Sequence, residues 1–333
     1  MSLPALFALR RLFPEAQITM AAPLGTADIF LDSKSVNDVL VQRSGGPFAA
    51  FTNARQLRRE GFKLAVLFQN AFAAAATAFL AGVPVRVGYA TDRRSALLTH
   101  ALSLPAWKDE RHESFYYLNI VAELEQVIFG SSSVRESEPM FELPVSLKRK
   151  EIARGLLKEN GAATSQPLAI LCPGSVNSRA KRWPVDAYAE LADRLIESGF
   201  AVVLVGSPHE AEVSNEVSTR ARHQPIVLTG KTTVAEVVAL INIAELLVTN
   251  DTGPAHIGAA LGTPTLVIFG PTNPLTTYPH SAQAELIRQP PDCAPCMLRD
   301  CPIDHRCMTA ISVDEVFRRA LAVHERRSAQ LIG

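Results

Sequence analysis

The sequence carries no surplus of either charge: Lys plus Arg and Asp plus Glu each number 33 in 333 residues. A protein that binds nucleic acid in bulk needs a positive excess, so that class is excluded, although a local basic patch is not. Long apolar runs are missing too. None reaches the roughly 18 residues of a membrane span. The stretch Ala71–Leu80 is apolar but short, with Gly82 and Pro84 close behind it. The start does not read as a secretory leader, because Arg10 and Arg11 follow the apolar residues instead of preceding them. A cytoplasmic protein is expected, with contact to a membrane face left open. There is no internal repeat and no low-complexity tract. No G-x-G-x-x-G follows the first strand-like run of either half, which argues against a simple NAD enzyme.

What is present is ordinary globular composition, 47% apolar and 20% charged. The length suits two domains of ~150 residues each. In the second half, apolar runs of strand length occur at Leu168–Cys172, Ala201–Val205, Ile226–Leu228, Leu246–Thr249, Thr265–Phe269 and Glu285–Arg288. Amphipathic stretches lie between most of them, at Val185–Ser198, His209–Ala221, Thr233–Ile243 and Gly253–Leu261. This alternation predicts an α/β fold with a parallel sheet, whose ligands bind at the carboxyl ends of the strands. The first half repeats the style less clearly. Its strands are expected at Ile18–Ala22, Asp38–Val41, Leu64–Phe68 and Val85–Val87, and its helices at Pro4–Phe13, Asn53–Gly61, Ala71–Leu80 and Ser114–Glu125. A linker is expected over Ser131–Val145, which contains a serine run and Pro139 and Pro144. The domains are therefore expected at 1–146 and 147–333, with a final helix at about Val313–Gln330. A Rossmann-like half opens with a strand and a loop, yet this chain goes straight from Met1 into a helix.

Two loops carry chemistry. The stretch 172–184 joins a strand to a helix. Gly174 permits a tight turn, Ser175 and Asn177 add polar donors, and Lys181 and Arg182 place positive charge beside a helix N-terminus. That arrangement favours an anion, naturally a diphosphate; the bland alternative is a polar connection with two surface cations. The stretch 249–256 is a second strand-to-helix loop. Capping by Asp251 or Thr252, with Gly253 and Pro254 in the first turn, accounts for it without any ligand. Capping does not account for His256, one turn inside an apolar helix, although a lone His there is more often a core residue. Glu210, after Gly206, either complements a helix dipole or holds ribose hydroxyls. The Gly270–Pro274 turn is a candidate wall of the same pocket.

Five cysteines are present, Cys172 in a strand-like run and the other four within 15 residues. Cys293, Cys296, Cys301 and Cys307 spell C-x2-C-x4-C-x5-C with His305 inside. Four thiolates are a structural zinc set; free thiols are the main expectation, and disulfides are disfavoured in a reducing compartment.

Taken together these pieces resemble the lipopolysaccharide heptosyltransferases, glycosyltransferase family 9, and most nearly their type II members. The resemblance rests on 173–184, on Asn250-Asp251-Thr252-Gly253 with His256, on Gly270-Pro271-Thr272, and in the first half on 3–14 and 79–88. It implies the GT-B architecture, two Rossmann-like domains facing a cleft. It implies inverting, metal-independent transfer of L-glycero-D-manno-heptose from ADP-heptose to heptosyl-Kdo2-lipid A, with no cofactor. The partners implied are the nucleotide-sugar donor and a lipid-anchored acceptor at the inner membrane, with no nucleic acid. By resemblance Lys181 neutralises the diphosphate, Glu210 holds the ribose, Asp251, Thr252, Gly253 and His256 surround sugar and diphosphate, and Thr232 lies near the adenine. Asn70, Arg86, Arg93 and Arg94 are candidates for an anionic acceptor, against the plain reading of Thr91–Arg94 as a solvated charged turn. The family's catalytic base is an Asp in a Gly-Asp loop that aligns ahead of Met1. The first strand and loop are thus expected upstream in the gene, and the chain as written is expected to bind the donor without that base. Three other readings remain open: a type I or III transferase, a sugar-nucleotide epimerase of GT-B fold, and a catalytically impaired nucleotide-sugar binder.

Overall fold

In the computed structural model, residues 1–46, 48–163 and 165–332 are described, with side chains through Arg326. The chain divides into two units, Met1–Phe141 and Glu142 onward. The division falls a few residues before the expected boundary, inside the segment read as a linker. That segment starts as part of the first unit. The carboxylate of Glu125, largely buried, accepts hydrogen bonds from Ser132 Oγ (2.8 Å), Ser133 Oγ (2.9 Å) and Val134 N–H (3.0 Å). Burial pushes this carboxyl up, but the three bonds outweigh it and hold it below the usual carboxylate range.

The first unit runs α1 (Leu3–Leu12), β1 (Thr19–Pro23), α2 (Leu24–Ala27), β2 (Asp38–Gln42), α3 (Ala49–Glu60), β3 (Leu64–Val66), α4 (Phe72–Leu80), β4 (Val85–Tyr89), β5 (His100–Leu102) and α5 (Glu113–Phe129). The expected helix at Asn53 starts four residues earlier, and the one expected to end at Glu125 continues to Phe129, where Gly130 turns left-handed and stops it. Helix α1 packs on α5 through Ala5, Ala8 and Leu9 against residues such as Ile120 and Leu124. All strands pair in parallel, but in two pieces, β1-β2 and β3-β4-β5.

The second unit runs α6 (Leu147–Glu159), β6 (Leu168–Cys172), α7 (Val185–Glu197), β7 (Ala201–Leu204), α8 (Ala211–Arg220), β8 (Ile226–Val227), α9 (Val234–Ile243), β9 (Leu246–Asn250), α10 (Gly253–Leu261), β10 (Thr265–Ile268), α11 (Pro274–Thr277), β11 (Ala284–Ile287), α12 (Arg306–Thr309) and α13 (Val313–Ile332). Strands without polar alternation can be covered on both faces only between helix layers. Accordingly Ile170, Leu171, Val203, Leu204, Leu246, Leu247 and Val248 are fully buried, each contributing about 1.5–3 kcal/mol by leaving water. The six strands form one parallel sheet in the order β11-β10-β9-β6-β7-β8. The first strand of the unit, β6, thus lies between β7 on one side and β9 on the other. The strand order reverses there, so the loops after β6 and β9 flank a ready-made crevice. Among the described residues no helix is long and apolar enough to cross a membrane.

Candidate functional site

The two loops singled out in the sequence are the loops at that reversal, and one side chain ties them together. Asn250 ends β9 and is fully buried. Its amide donates to the carbonyls of Pro173 (2.9 Å) and Gly174 (3.1 Å). Its Oδ1 accepts from Trp183 N–H (3.1 Å) and from the Tyr188 hydroxyl (3.2 Å). All four groups belong to the first loop or the helix it feeds. Sequence reading quoted Asn250 within the motif but gave it no task. The signal was there: a polar side chain closing a strand that is otherwise apolar.

The neighbouring Asp251 is 3% exposed. Its Oδ2 accepts from Lys181 Nζ at 2.8 Å and from Thr272 Oγ1 at 2.7 Å, and Lys181 also donates to the Asp251 carbonyl at 3.1 Å. The lysine of one loop is thereby pinned to the head of the other. This corrects the capping explanation of Asp251 and Thr252. The N-cap of α10 is Thr252, and no side chain caps the helix there. Thr252 Oγ1 turns back to the Asn250 carbonyl (3.3 Å), and Asp251 is committed to Lys181 and Thr272. Gly253 heads the helix with open space around its Cα. Pro254 has no N–H and Ala255 N–H donates to the Thr252 carbonyl (3.1 Å), so the Gly253 N–H at the positive end of the helix, beside a fixed ammonium group, makes an anion site. His256 lies one turn further in, half-buried.

The other donor-site candidates sort into neighbours and braces. The carboxylate of Glu210 lies against the first loop. A Cβ added to Gly174 would come within 2.2 Å of Glu210 Oε1, so a larger residue there would push Glu210 out of its present position. Glu210 Oε2 closes a capping box with Ser207 N–H (2.7 Å) and Oγ (2.8 Å), so its dipole role and its place beside the loop coexist. Arg182, expected to meet the ligand, donates twice to the Ser175 carbonyl (3.2 and 2.9 Å) and closes the loop on itself. Ser175 is buried and Asn177 exposed at the loop's crest. Thr232 follows the edge strand β8; its turn is held beside the β7 loop by Gly230 N–H on the Gly206 carbonyl (3.0 Å).

Sequence reading missed the role of the cysteine loop as a support. The Arg299 carbonyl accepts from Ala180 N–H (2.9 Å) and Ser178 Oγ (3.2 Å). Met297 N–H donates to the Pro271 carbonyl at 2.9 Å. His305 Nε2 lies 2.6 Å from the Ala180 carbonyl, which can only accept, so the proton is on Nε2. The four cysteines are unbonded and line one cavity of about 20 Å³. Burial first, then the neighbouring Cys296, Cys301 and Cys293, push the Cys307 thiol up to about 11. Among the described residues no group of three or more His, Cys, Asp or Glu is placed to hold a metal ion.

Of the acceptor candidates, Arg94 is corrected most clearly. It is fully buried, donating to the carbonyls of Tyr89 (2.8 Å) and Gln69 and to Asn70 Oδ1 (3.2 Å). Asn70 in turn pairs with the Tyr116 hydroxyl at 2.8 Å. These two hold the ends of β3 and β4 together. Arg86 is bound to the carbonyls of Leu97 (2.7 Å) and Val83. Arg93 alone of the four is exposed, at a positive φ of 57°.

A sugar diphosphate suits the mouth of α10, and a chain of two Rossmann-like units, one carrying such a mouth, has the makeup of a sugar-nucleotide-dependent glycosyltransferase of GT-B architecture. The profile of "Glycosyltransferase family 9 (heptosyltransferase)" matches residues 51–306. The lipopolysaccharide heptosyltransferase 2 of Escherichia coli K12 is 30% identical over 293 residues, covering 83% of this chain and 80% of that protein. The lipooligosaccharide heptosyltransferase 2 of Campylobacter jejuni (serotype O:2) is 25% identical, covering 96% and 92%. Among solved structures, the ADP-heptose LPS heptosyltransferase II of E. coli superposes with a TM-score of 0.84 at 26% identity, over 98% of this chain and 95% of that one. The chain belongs to glycosyltransferase family 9.

Proposed function

We propose that this protein transfers L-glycero-D-manno-heptose from ADP-heptose to the heptosyl-Kdo2-lipid A inner core of lipopolysaccharide, with inversion and without a metal. The observation that carries the donor side is the pairing of an uncapped α10 with a lysine anchored 2.8 Å from Asp251. As the glycosidic bond to the diphosphate breaks, negative charge grows on the leaving oxygen. Donors already in place stabilise that charge without reorganising. Lys181 and the Gly253 N–H at the head of α10 are such donors, Glu210 beside Gly174 is the carboxylate for the ribose, and Gly253 and His256 flank the sugar. Asp251 is unsuited to be the base for the acceptor hydroxyl, because it is buried and serves as the counter-ion of Lys181. The acceptor makes the inner membrane's cytoplasmic face the expected workplace.

Calorimetric titration with ADP, UDP and GDP tests the donor half. Preference for ADP, lost in Glu210→Ala and weakened in Lys181→Ala, is expected. Preference for UDP would overturn the assignment in favour of another sugar-nucleotide enzyme.

A further inference from the structure

The first unit carries a surface that the donor chemistry does not use. Between Val39 and Thr91 the sequence holds six basic residues, Arg43, Arg55, Arg58, Arg59, Lys63 and Arg86, and one acidic residue, Glu60. Helices α3 and α4 lie side by side in this segment. The inner face of α3, with Ala54 and Leu57, packs on Ala81 and Val83. On α3's outer side Phe48, Phe51, Arg55 and Arg58 follow at helical spacing, so they share one stripe. On α4, Phe72 and Phe79 are likewise seven residues apart. Arg58 donates to the Leu80 carbonyl, which sets the two outer faces edge to edge, and Arg86 lies over the Phe79 ring at 5.4 Å. Exposure is 74% for Phe48, 63% for Phe51, 52% for Phe72 and 47% for Phe79.

Four exposed phenylalanines on one pair of helices are more than scattered surface apolarity requires. Aromatic rings among arginines with almost no carboxylates suit the boundary of an anionic bilayer. A second copy of the chain fits poorly, since two such basic faces would repel. Another exposed apolar group of the unit, Val127, Ile128 and Phe129, has Glu123, Glu136 and Glu138 near it in sequence and lacks that match. We infer that the outer face of α3 and α4 docks the protein on an anionic membrane surface. This rests on the proposed lipid-anchored acceptor and names the surface that would bring the enzyme to it.

The test is co-sedimentation of the full chain with vesicles of phosphatidylglycerol and phosphatidylethanolamine, against vesicles of phosphatidylcholine alone. Binding to the anionic vesicles, weakened by salt, is expected. Arg55→Gln with Arg59→Gln should lower partitioning about thirtyfold, roughly fivefold per arginine. Phe51→Ser with Phe72→Ser should lower it at least about tenfold. Both variants should keep wild-type ADP affinity and thermal stability. Equal binding to neutral vesicles, no binding to either, or unchanged binding by both variants would each overturn the docking surface. So would a dimer in sedimentation analysis that the phenylalanine substitutions dissolve. Vesicle binding without ADP binding would keep the surface and remove the heptosyltransferase reading; ADP binding without vesicle binding would do the reverse.

Discussion

Replacing Asn250 tests whether one buried amide holds the loop after β6 in place. Asn250→Ala removes two donated and two accepted hydrogen bonds. It leaves the Trp183 N–H buried without an acceptor, while the Tyr188 hydroxyl keeps the Cys172 carbonyl (3.2 Å), for a loss of about 3 kcal/mol. In a unit of this size that lowers Tm by roughly 6–12 °C. Asn250→Asp is the sharper variant. It keeps shape and volume but turns an oxygen toward the Pro173 and Gly174 carbonyls. Ionised, this carboxylate would be buried among acceptors, so its folded pKa lies above the unfolded value of about 3.9. A raised carboxyl pKa means that stability is lost as pH rises from the unfolded value to the folded one, at about 1.4 kcal/mol per pH unit. Protonated, the acid regains one donated bond. Relative to wild type, Asn250→Asp should therefore be roughly 2–3 kcal/mol more stable at pH 5 than at pH 7. Denaturant unfolding at the two pH values, with ADP titration alongside, measures this. A pH-independent difference from wild type, or full ADP affinity in Asn250→Ala, would refute the role given to the amide.

Three further outcomes are expected. Gly174→Ala should destabilise by about 2 kcal/mol in the wild-type background and by much less with Glu210→Ala, because its clash is with that side chain; unfolding of the single and double variants decides. Lys181→Ala should lower stability by about 3 kcal/mol by leaving the buried Asp251 carboxylate without its counter-charge, and Asp251→Asn should recover much of this without restoring ADP affinity. Asp193 is buried, which alone would raise its pKa, but N–H groups of His223 (2.7 Å) and Arg222 (3.0 Å) and the Arg222 guanidinium hold it below the usual range. A depressed carboxyl stabilises above its unfolded pKa of about 3.9 and loses that contribution as pH falls through the folded pKa. Asp193→Asn should thus be less stable than wild type at pH 7 and match it in acid, as thermal melts would show.

The second unit was largely legible in the sequence, because a strand buried on both faces announces itself as an unbroken apolar run. The strand order was not legible, since the runs say nothing about neighbours. The reversal between β6 and β9 that makes a site of two loops came from the structure. Lys181 and Asp251 could be picked by residue type, but their contact joins positions 70 apart in sequence, and no local pattern encodes that. The same holds for Arg94. A charged residue in a turn reads as solvated, and only the carbonyls of Tyr89 and Gln69, brought up by β3 and β4, explain its burial. The first half was harder throughout because its strands are part-exposed, so they do not stand out as unbroken apolar runs.

The two-piece sheet of the first unit has a consequence for time as well as shape. A continuous sheet such as β11 to β8 opens cooperatively, and its central amides exchange with solvent only through large excursions. Strand pairs cut off from their neighbours have outer amides unsatisfied by the ladder and lower thresholds for local opening. Amide protons of β1 to β5 should thus trade for deuterium well before those of β6 and β9. Brief proteolysis should trim the first unit while the second unit survives as a resistant fragment.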